Sequence, residues 1–383
     1  MRWLLDEIKA LQGGGLFRSL KRIDSKEVIN FCSNDYLGLS QDLRVIRGAV
    51  EAAQRYGAGN GSARLISGNC PLHEELEAAL AAFKGAGAAL LFNSGYHANI
   101  GVIPALAGEG DLIFSDELNH ASIIDGCRLS KAQTVIYRHK DVGHLEDLLK
   151  KNPLPSRERV AEGRVRVIIT ESVFSMEGDL APLEDLKSLA KKQGALLYVD
   201  EAHAVGVFGE RGEGRVGRNP PEYLVTMGTL GKAFGSYGAF VTGSQALKDY
   251  LINKARSFIF TTALPPATVG ASLVALTLIQ SEPERRQRLW ENIRWIQKIL
   301  LTDQGYSPIF SIGSMRVGSA EKVMALSQQL LEEGIYLQGI RPPTVPEGTS
   351  RLRLTASALH TEVHLEKLAE KLKKHAINFE KGR

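Results

Sequence analysis

The sequence predicts an α/β fold: a large domain on a mostly parallel central sheet with helices on both faces, followed by a smaller α+β C-terminal domain. Three observations carry this. Between about residues 86 and 243 one cadence repeats, a short apolar run, a Gly-rich or polar turn, then a helical pattern. The runs are continuous rather than alternating, which suits strands buried on both faces, and the helical stretches between them make parallel crossovers natural. At 383 residues the chain exceeds the usual size of one hydrophobic core, and its character changes near residue 270, so a second unit is expected.

Taken in order, "MRWLLDEIKALQGGG" reads as a short amphipathic helix, because Asp6 and Glu7 break the apolar stretch a secretory signal needs. It begins an N-terminal arm, residues 1–37. A large domain, 38–270, follows. Its strands are expected in "AALLFNSG", "DLIFSD", "TVIYRH", "VRVIITES", "ALLYVDEA", "YLVTMGT" and "GAFVTGS". "RYGAGNGSARLISGN" has no strand before it and reads as a flexible loop near a pocket. Through Pro265-Pro266 the chain enters a long helical pattern that continues in "RRQRLWENIRWIQKILL". The small domain, 271–383, adds strands such as "YSPIFSIG" and "SRLRLTAS" and a last helix, "EVHLEKLAEKLKKH". His360 and His364 have metal-pair spacing, but Thr361 looks like the helix cap, which leaves His360 outside the helix and argues against a shared metal.

Composition removes several classes. Apolar residues are 44% and charged residues 23%, the balance of a globular protein rather than a disordered one. Cys32, Cys70 and Cys127 lie far apart with no CxxC pair, so neither a disulfide framework nor a zinc ribbon is expected, and a reducing, cytoplasmic setting is. No apolar run reaches membrane-spanning length. The net charge of +4 suits an anionic substrate or an ordinary solvated surface, and is too dispersed to argue for nucleic acid.

The chemistry is concentrated around "LLYVDEAHAVGVFG", whose Asp200-Glu201-Ala202-His203 matches a helicase magnesium motif. Nucleotide hydrolysis also needs a GxxxxGK[ST] cradle. The nearest stretch, "GTLGKAFG", follows Lys232 with Ala233 and lacks the upstream glycine, so that class becomes a distant alternative. Lys232 is instead ringed by Gly228, Gly231, Ala233, Gly235 and Gly238, the room an amine needs to form a Schiff base, although a lone lysine is usually a solvated charge. Asp200 ends an apolar strand at the carboxyl edge of the sheet, where it can cap a turn or pair with the cationic ring nitrogen of pyridoxal phosphate. His203 can orient a cofactor oxygen or satisfy a turn. Asn93-Ser94-Gly95-Tyr96 opens a helix whose amides would attract phosphate, and Thr229 could add a hydroxyl. His120, after another strand end, either stacks on a planar cofactor or is an ordinary loop histidine. No GxSxG nucleophile elbow occurs.

The ordered blocks "FCSNDYLGLS", "NSGYHAN", "NHASIIDG", "ESVFSMEGD", "VDEAHAVGVFG", "TLGKAFGSYG", "FIFTT" and "IRPPTVPEGTSRLRLT" together resemble the α-oxoamine synthases. These are pyridoxal phosphate-dependent transferases of the aspartate aminotransferase-like fold, fold type I. The resemblance runs from about residue 15 to the C-terminus. It implies acyltransfer with pyridoxal 5′-phosphate as cofactor and no metal, between an amino acid and an acyl thioester on coenzyme A or an acyl carrier protein. The last block is most similar to the branch that condenses L-alanine with a pimeloyl thioester in biotin biosynthesis; sister branches use glycine or serine. The resemblance assigns Lys232 to the Schiff base, Asp200 to the pyridine nitrogen and His120 to the ring face, where it also meets substrate. It assigns His203 and Ser175 to the phenolic oxygen, and Gly95, Tyr96 and Thr229 to the phosphate. It implies a homodimer with shared active sites, Thr261 or Thr262 reaching the neighbour's phosphate. Arg353 would grip the amino-acid carboxylate, with Arg18, Arg341 and Thr344 as further substrate contacts. The chain departs from the family between Arg18 and "EVINFCSNDYL", where "SLKRIDSK" replaces a longer segment.

Overall fold

The computed structural model of the chain describes residues 1–23, 27–152, 164–302, 305–312 and 319–375. The last three residues of "SLKRIDSK" therefore lie outside the described residues. In chain order the strands are β1 (Ile29–Asn30), β2 (Ala88–Phe92), β3 (Leu112–Asp116), β4 (Gln133–Tyr137), β5 (Arg166–Glu171), β6 (Leu196–Asp200), β7 (Leu224–Thr229), β8 (Ala239–Gly243), β9 (Ile309–Ile312), β10 (Ile335–Tyr336), β11 (Gln338–Ile340) and β12 (Arg351–Thr355). The helices are α1 (Arg2–Gly13), α2 (Leu43–Tyr56), α3 (Pro71–Lys84), α4 (Gly95–Leu106), α5 (Ala121–Leu129), α6 (Val142–Lys151), α7 (Leu183–Gln193), α8 (Gln245–Lys254), α9 (Arg256–Ile259), α10 (Pro266–Ser281), α11 (Pro283–Leu300), α12 (Ala320–Glu332) and α13 (Glu362–Lys374). Contacts divide the chain into two compact units. One comprises Met1–Tyr36, Ser175–Asp179 and Gln287–Arg383, the other Leu37–Phe174 and Leu180–Arg286.

The larger unit holds a seven-stranded sheet in the order β2-β8-β7-β6-β5-β3-β4. Alternate residues of single strands feed opposite cores, as buried-on-both-faces strands must. Tyr198, Val167 and Ile169 join Val102, Ile103 and Phe258 on one side, while Leu197, Val199 and Ile168 join Leu145, Leu186 and Leu189 on the other. Two strands depart from the pattern. β8 runs antiparallel to both its neighbours, β2 and β7. Among the described residues β4 pairs only with β3, and as an edge strand it leaves Ile136 53% exposed, so its apolar run does not mark burial on both faces.

Local signals explain the helix starts. Asp42 caps α2 by accepting from Arg44 N, and Ser94 caps α4 by accepting from His97 N. Pro71 opens α3, where its missing donor is harmless, and Gly85 closes it in the left-handed region at φ 63°. The segment expected as a flexible loop is a pinned turn instead. Arg64–Gly68 forms one π-helical turn, Arg64 pairs with Glu77, and Ala263 N donates to Ser62 O at 3.0 Å.

The smaller unit contains the antiparallel sheet β11-β12-β9 and the two-stranded parallel pair β1-β10, which joins Ile29 to Ile335 and Asn30 to Tyr336. Thr361 caps α13, which leaves His360 ahead of the helix. His360 is 6% exposed and its ring lies 4.1 Å from that of Phe31. Its Nδ1 accepts from Ser357 N at 3.1 Å, so Nε2 carries the proton donated to Asn30 O at 3.1 Å.

Burial pushes the His360 imidazole down to about 4. The unfolded chain takes up this proton near 6.5 and the folded chain only near 4, so the stability gained by keeping it neutral is full above pH 6.5 and lost as pH falls to 4. Unfolding free energy is expected to drop across that window by up to roughly 3 kcal/mol from this group alone. His360→Gln should flatten that part of the curve, measured by urea unfolding at a series of pH values.

Candidate active site

Four strand ends meet one edge of the large sheet. β3, β6 and β7 are parallel members of one set, and β2, antiparallel to β8 as β7 is, points the same way. Their carboxyl ends lead to His120, Asp200, Thr229 and Asn93, so the carboxyl-edge rule for open α/β sheets places these residues on a common rim.

From β2 the chain passes through Asn93 into Ser94, whose Oγ accepts from His97 N at 3.1 Å. The amides of Gly95 and Tyr96, first in α4, have no acceptor within the helix and offer an anion cradle. A Cβ at position 95 would sit 2.9 Å from Thr229 Cγ2, so only glycine lets this helix start approach the end of β7. Thr229 Oγ1 donates to Ala202 O at 3.2 Å, binding β7 to the segment after β6. The Tyr96 phenol is turned to Asp125 Oδ2, 2.5 Å away, which leaves its backbone amide for a ligand. Asn93 Nδ2 donates to Thr261 Oγ1 at 3.0 Å and Thr262 O at 2.9 Å within the one chain.

Asp200 is 5% exposed. Its Oδ1 accepts from Ala202 N at 2.9 Å and its Oδ2 from Asn99 Nδ2 at 3.0 Å, so both hydrogen-bond partners are neutral. Three residues on, His203 Nε2 lies 2.8 Å from Lys232 Nζ. The turn that presents Lys232 is closed by Gly235 N donating to Lys232 O at 2.8 Å, with Gly235 at φ 62° and packed so closely on the Ser40 backbone that a Cβ would collide. His120 caps α5, its Nδ1 accepting from Ser122 N at 3.2 Å. Burial lowers its pKa; the charge of Asp200 opposes this and that of Lys232 adds to it.

Sequence reasoning missed the support beneath these groups. Glu201 and Lys84 are both fully buried and ion-paired, Lys84 Nζ also donates to Glu213 O, and Glu201 Oε1 accepts from Val216 N at 2.8 Å. The pair clamps the turn-rich 201–216 segment that carries His203. The helicase-like letters contained Glu201, but nothing near Lys84 marked it as the partner.

In the smaller unit Arg353 Nε donates to Ser175 O at 2.9 Å, and its Nη atoms to Thr355 Oγ1 and Asn34 Oδ1, each at 3.1 Å. Arg18 Nη2 donates to Thr344 Oγ1 at 3.1 Å, and Arg341 Nη2 to Phe17 O. Arg18, Arg341 and Thr344 line a cavity of about 360 Å³ whose walls, among the described residues, bring Arg18, Lys21 and Arg341 and no acidic side chain. Burial lowers the pKa of Arg341, as does the charge of Arg18. Among the described residues no cluster suited to a metal is found, and no helix is long and apolar enough to cross a membrane.

The family model for aminotransferase class I and II matches residues 26–372. The putative 8-amino-7-oxononanoate synthase of Geobacillus kaustophilus is 50% identical over 90% of this chain and 87% of its own. The 8-amino-7-oxononanoate synthase of Geobacter sulfurreducens is 47% identical over 96% of both chains. Among solved structures, a serine palmitoyltransferase from S. paucimobilis with a bound PLP–myriocin aldimine superposes with a TM-score of 0.86 at 30% identity, covering 98% of this chain and 97% of that one. An 8-amino-7-oxononanoate synthase from Francisella tularensis gives a TM-score of 0.74 at 30% identity over 92% of this chain and 100% of that one.

Removing the cation of a buried pair strands its anion. Lys84→Met is expected to lower unfolding free energy by about 3–5 kcal/mol, and Lys84→Met with Glu201→Gln to recover most of that. Urea midpoints of the two variants check the coupling.

Proposed function

The chain belongs to the aminotransferase class I and II family, and on that premise we propose that it is a pyridoxal 5′-phosphate-dependent acyltransferase. It joins L-alanine to a pimeloyl thioester and releases the thiol and carbon dioxide, giving 8-amino-7-oxononanoate for biotin biosynthesis. The 47% identity to a synthase of that name over 96% of both chains is what favours alanine over the glycine or serine of the sister branches. A single observation carries the reading: Lys232 Nζ sits 2.8 Å from His203 Nε2, three residues beyond a buried carboxylate with only neutral hydrogen-bond partners.

The residues fit the cofactor. A cationic ring nitrogen would supply the charge that Asp200 lacks in its hydrogen bonds, and the Gly95 and Tyr96 amides form a cradle that a Cβ at position 95 would press against Thr229. When bound, pyridoxal 5′-phosphate supplies an electron-withdrawing ring that spreads the charge left as the Cα proton departs.

Each residue then has a task. Lys232 Nζ is the amine that holds the aldehyde and moves a proton at the substrate Cα, work of the kind that contributes about 10²–10⁴-fold when well positioned. His203 Nε2 orients that amine, and with Ser175 is assigned to the phenolic oxygen. Asp200 keeps a proton on the ring nitrogen. His120, held neutral by burial, offers its ring face and Nε2–H. Arg353, already oriented by three acceptors, is assigned to the amino-acid carboxylate and thereby selects the bond at Cα that reacts. The cation-lined cavity of Arg18, Arg341 and Thr344 suits an anionic part of the acyl substrate. The reading includes a cytoplasmic homodimer in which Thr261 or Thr262 reaches the neighbour's phosphate.

Thiol release measured with alanine, glycine or serine against a panel of acyl thioesters tests this, with alanine and the pimeloyl donor expected fastest; a faster glycine or serine reaction moves the chain to a sister branch. Lys232→Ala should remove the borohydride-sensitive visible band and lower turnover at least about 10²-fold in a folded protein. Asp200→Asn should keep the cofactor and lose most turnover. Undiminished rates in either variant would refute its assignment.

A further inference from the structure

Asn99 lies in α4, fully buried, one turn past the phosphate cradle, and takes no part in the assignments above. Its carboxamide touches three side chains. Tyr198 OH donates to Asn99 Oδ1 at 2.7 Å, while Nδ2 donates to Asp200 Oδ2 at 3.0 Å and to Ser122 Oγ at 2.8 Å. Ser122 Oγ in turn lies 2.8 Å from His120 Nδ1.

Donor and acceptor roles along this chain are forced. Burial, reinforced by the charge of Asp200, keeps the Tyr198 phenol protonated, so its hydroxyl donates. The carboxamide therefore presents oxygen to Tyr198 and its NH₂ to the carboxylate; the reversed amide would set oxygen against oxygen at Asp200. With Ser122 Oγ receiving from Asn99, its own proton is free for His120 Nδ1, which also accepts the Ser122 amide at 3.2 Å. Two donors on Nδ1 leave the imidazole proton on Nε2.

We infer that Asn99 is a positioning residue that binds Asp200 and His120 into one unit, steering the carboxylate and, through Ser122, fixing the Nε2–H tautomer of His120. The inference rests on the cofactor reading above. Both amide protons and the carbonyl oxygen are engaged, so one side chain sets both the group assigned to the ring nitrogen and the group assigned to the ring face. Such a network loses more than one hydrogen bond when its centre is removed.

The test uses full-length holoenzyme carrying Asn99→Leu, Ser122→Ala or Tyr198→Phe beside wild type. The readouts are the pH titration of the visible band, the dissociation constant of pyridoxal 5′-phosphate, kcat and KM for alanine, and the ¹⁵N resonances of labelled histidines. Asn99→Leu should raise the band's midpoint by about one pH unit, because a ring nitrogen that holds its proton less firmly repels the Schiff-base proton less. It should also weaken cofactor binding and lower kcat by about tenfold each. Ser122→Ala should leave the midpoint unmoved, lower kcat several-fold with little change in KM, and shift the ¹⁵N tautomer pattern. Should Asn99→Leu fail to fold, Tyr198→Phe decides, with a smaller upward shift expected. A folded Asn99→Leu, or in its absence Tyr198→Phe, with wild-type midpoint, affinity and kcat overturns the inference, as does a Ser122→Ala midpoint shift equal to that of Asn99→Leu. A wild type without any visible band sinks the functional reading instead, and the histidine pattern still judges the relay.

Discussion

Two consecutive carboxylates leave the end of β6 and enter protein rather than water, and the large unit is organised around satisfying them in different ways. Glu201 is neutralised by Lys84 and spends its second oxygen on Val216 N. Asp200 receives two hydrogen bonds from neutral groups, Ala202 N and Asn99 Nδ2. Burying an ionised carboxylate without a counter-charge is expensive. The first arrangement neutralises its carboxylate within the chain; the second satisfies its carboxylate with neutral donors, the surroundings that the proposed ring nitrogen would complete. Adjacent residues of the same chemical type thus divide the labour by their surroundings alone.

Much of this was legible before any coordinates. Continuous apolar runs located the strands because burial on both faces leaves no room for polar alternation, and the cores bear that out residue by residue in Ile168, Leu197 and Val199 against Val167, Ile169 and Tyr198. Lys232, Asp200 and His120 drew notice in the sequence because each follows an apolar run, and the fold sets Lys232 beside His203 and Asp200 beside Asn99. Ser94 and Thr361 announced their helices by local hydrogen-bonding chemistry.

What escaped notice depends on distance along the chain. Lys84 sits on a helix end that looks like any solvated C-terminus, and only the fold brings it to Glu201. Asn99 belonged to a quoted block, yet its three partners come from α5 and β6, elements whose mutual placement no short window contains. The edge position of β4 was equally invisible, because an apolar run does not state how many neighbours it will have. The glycine-rich stretch before α3 reads as loose in composition, and it is an ion pair with Glu77 that makes it firm.

The parallel pair β1-β10 couples Ile29 and Asn30 to Ile335 and Tyr336. During synthesis the larger unit has all its residues once Arg286 has left the ribosome, whereas Ile29 and Asn30, made before it, must wait for Ile335 and Tyr336, made after it. β1 therefore has no strand to pair with in β10 until the whole of the larger unit has been made, so the smaller unit closes on itself only after its neighbour has every residue it needs to fold.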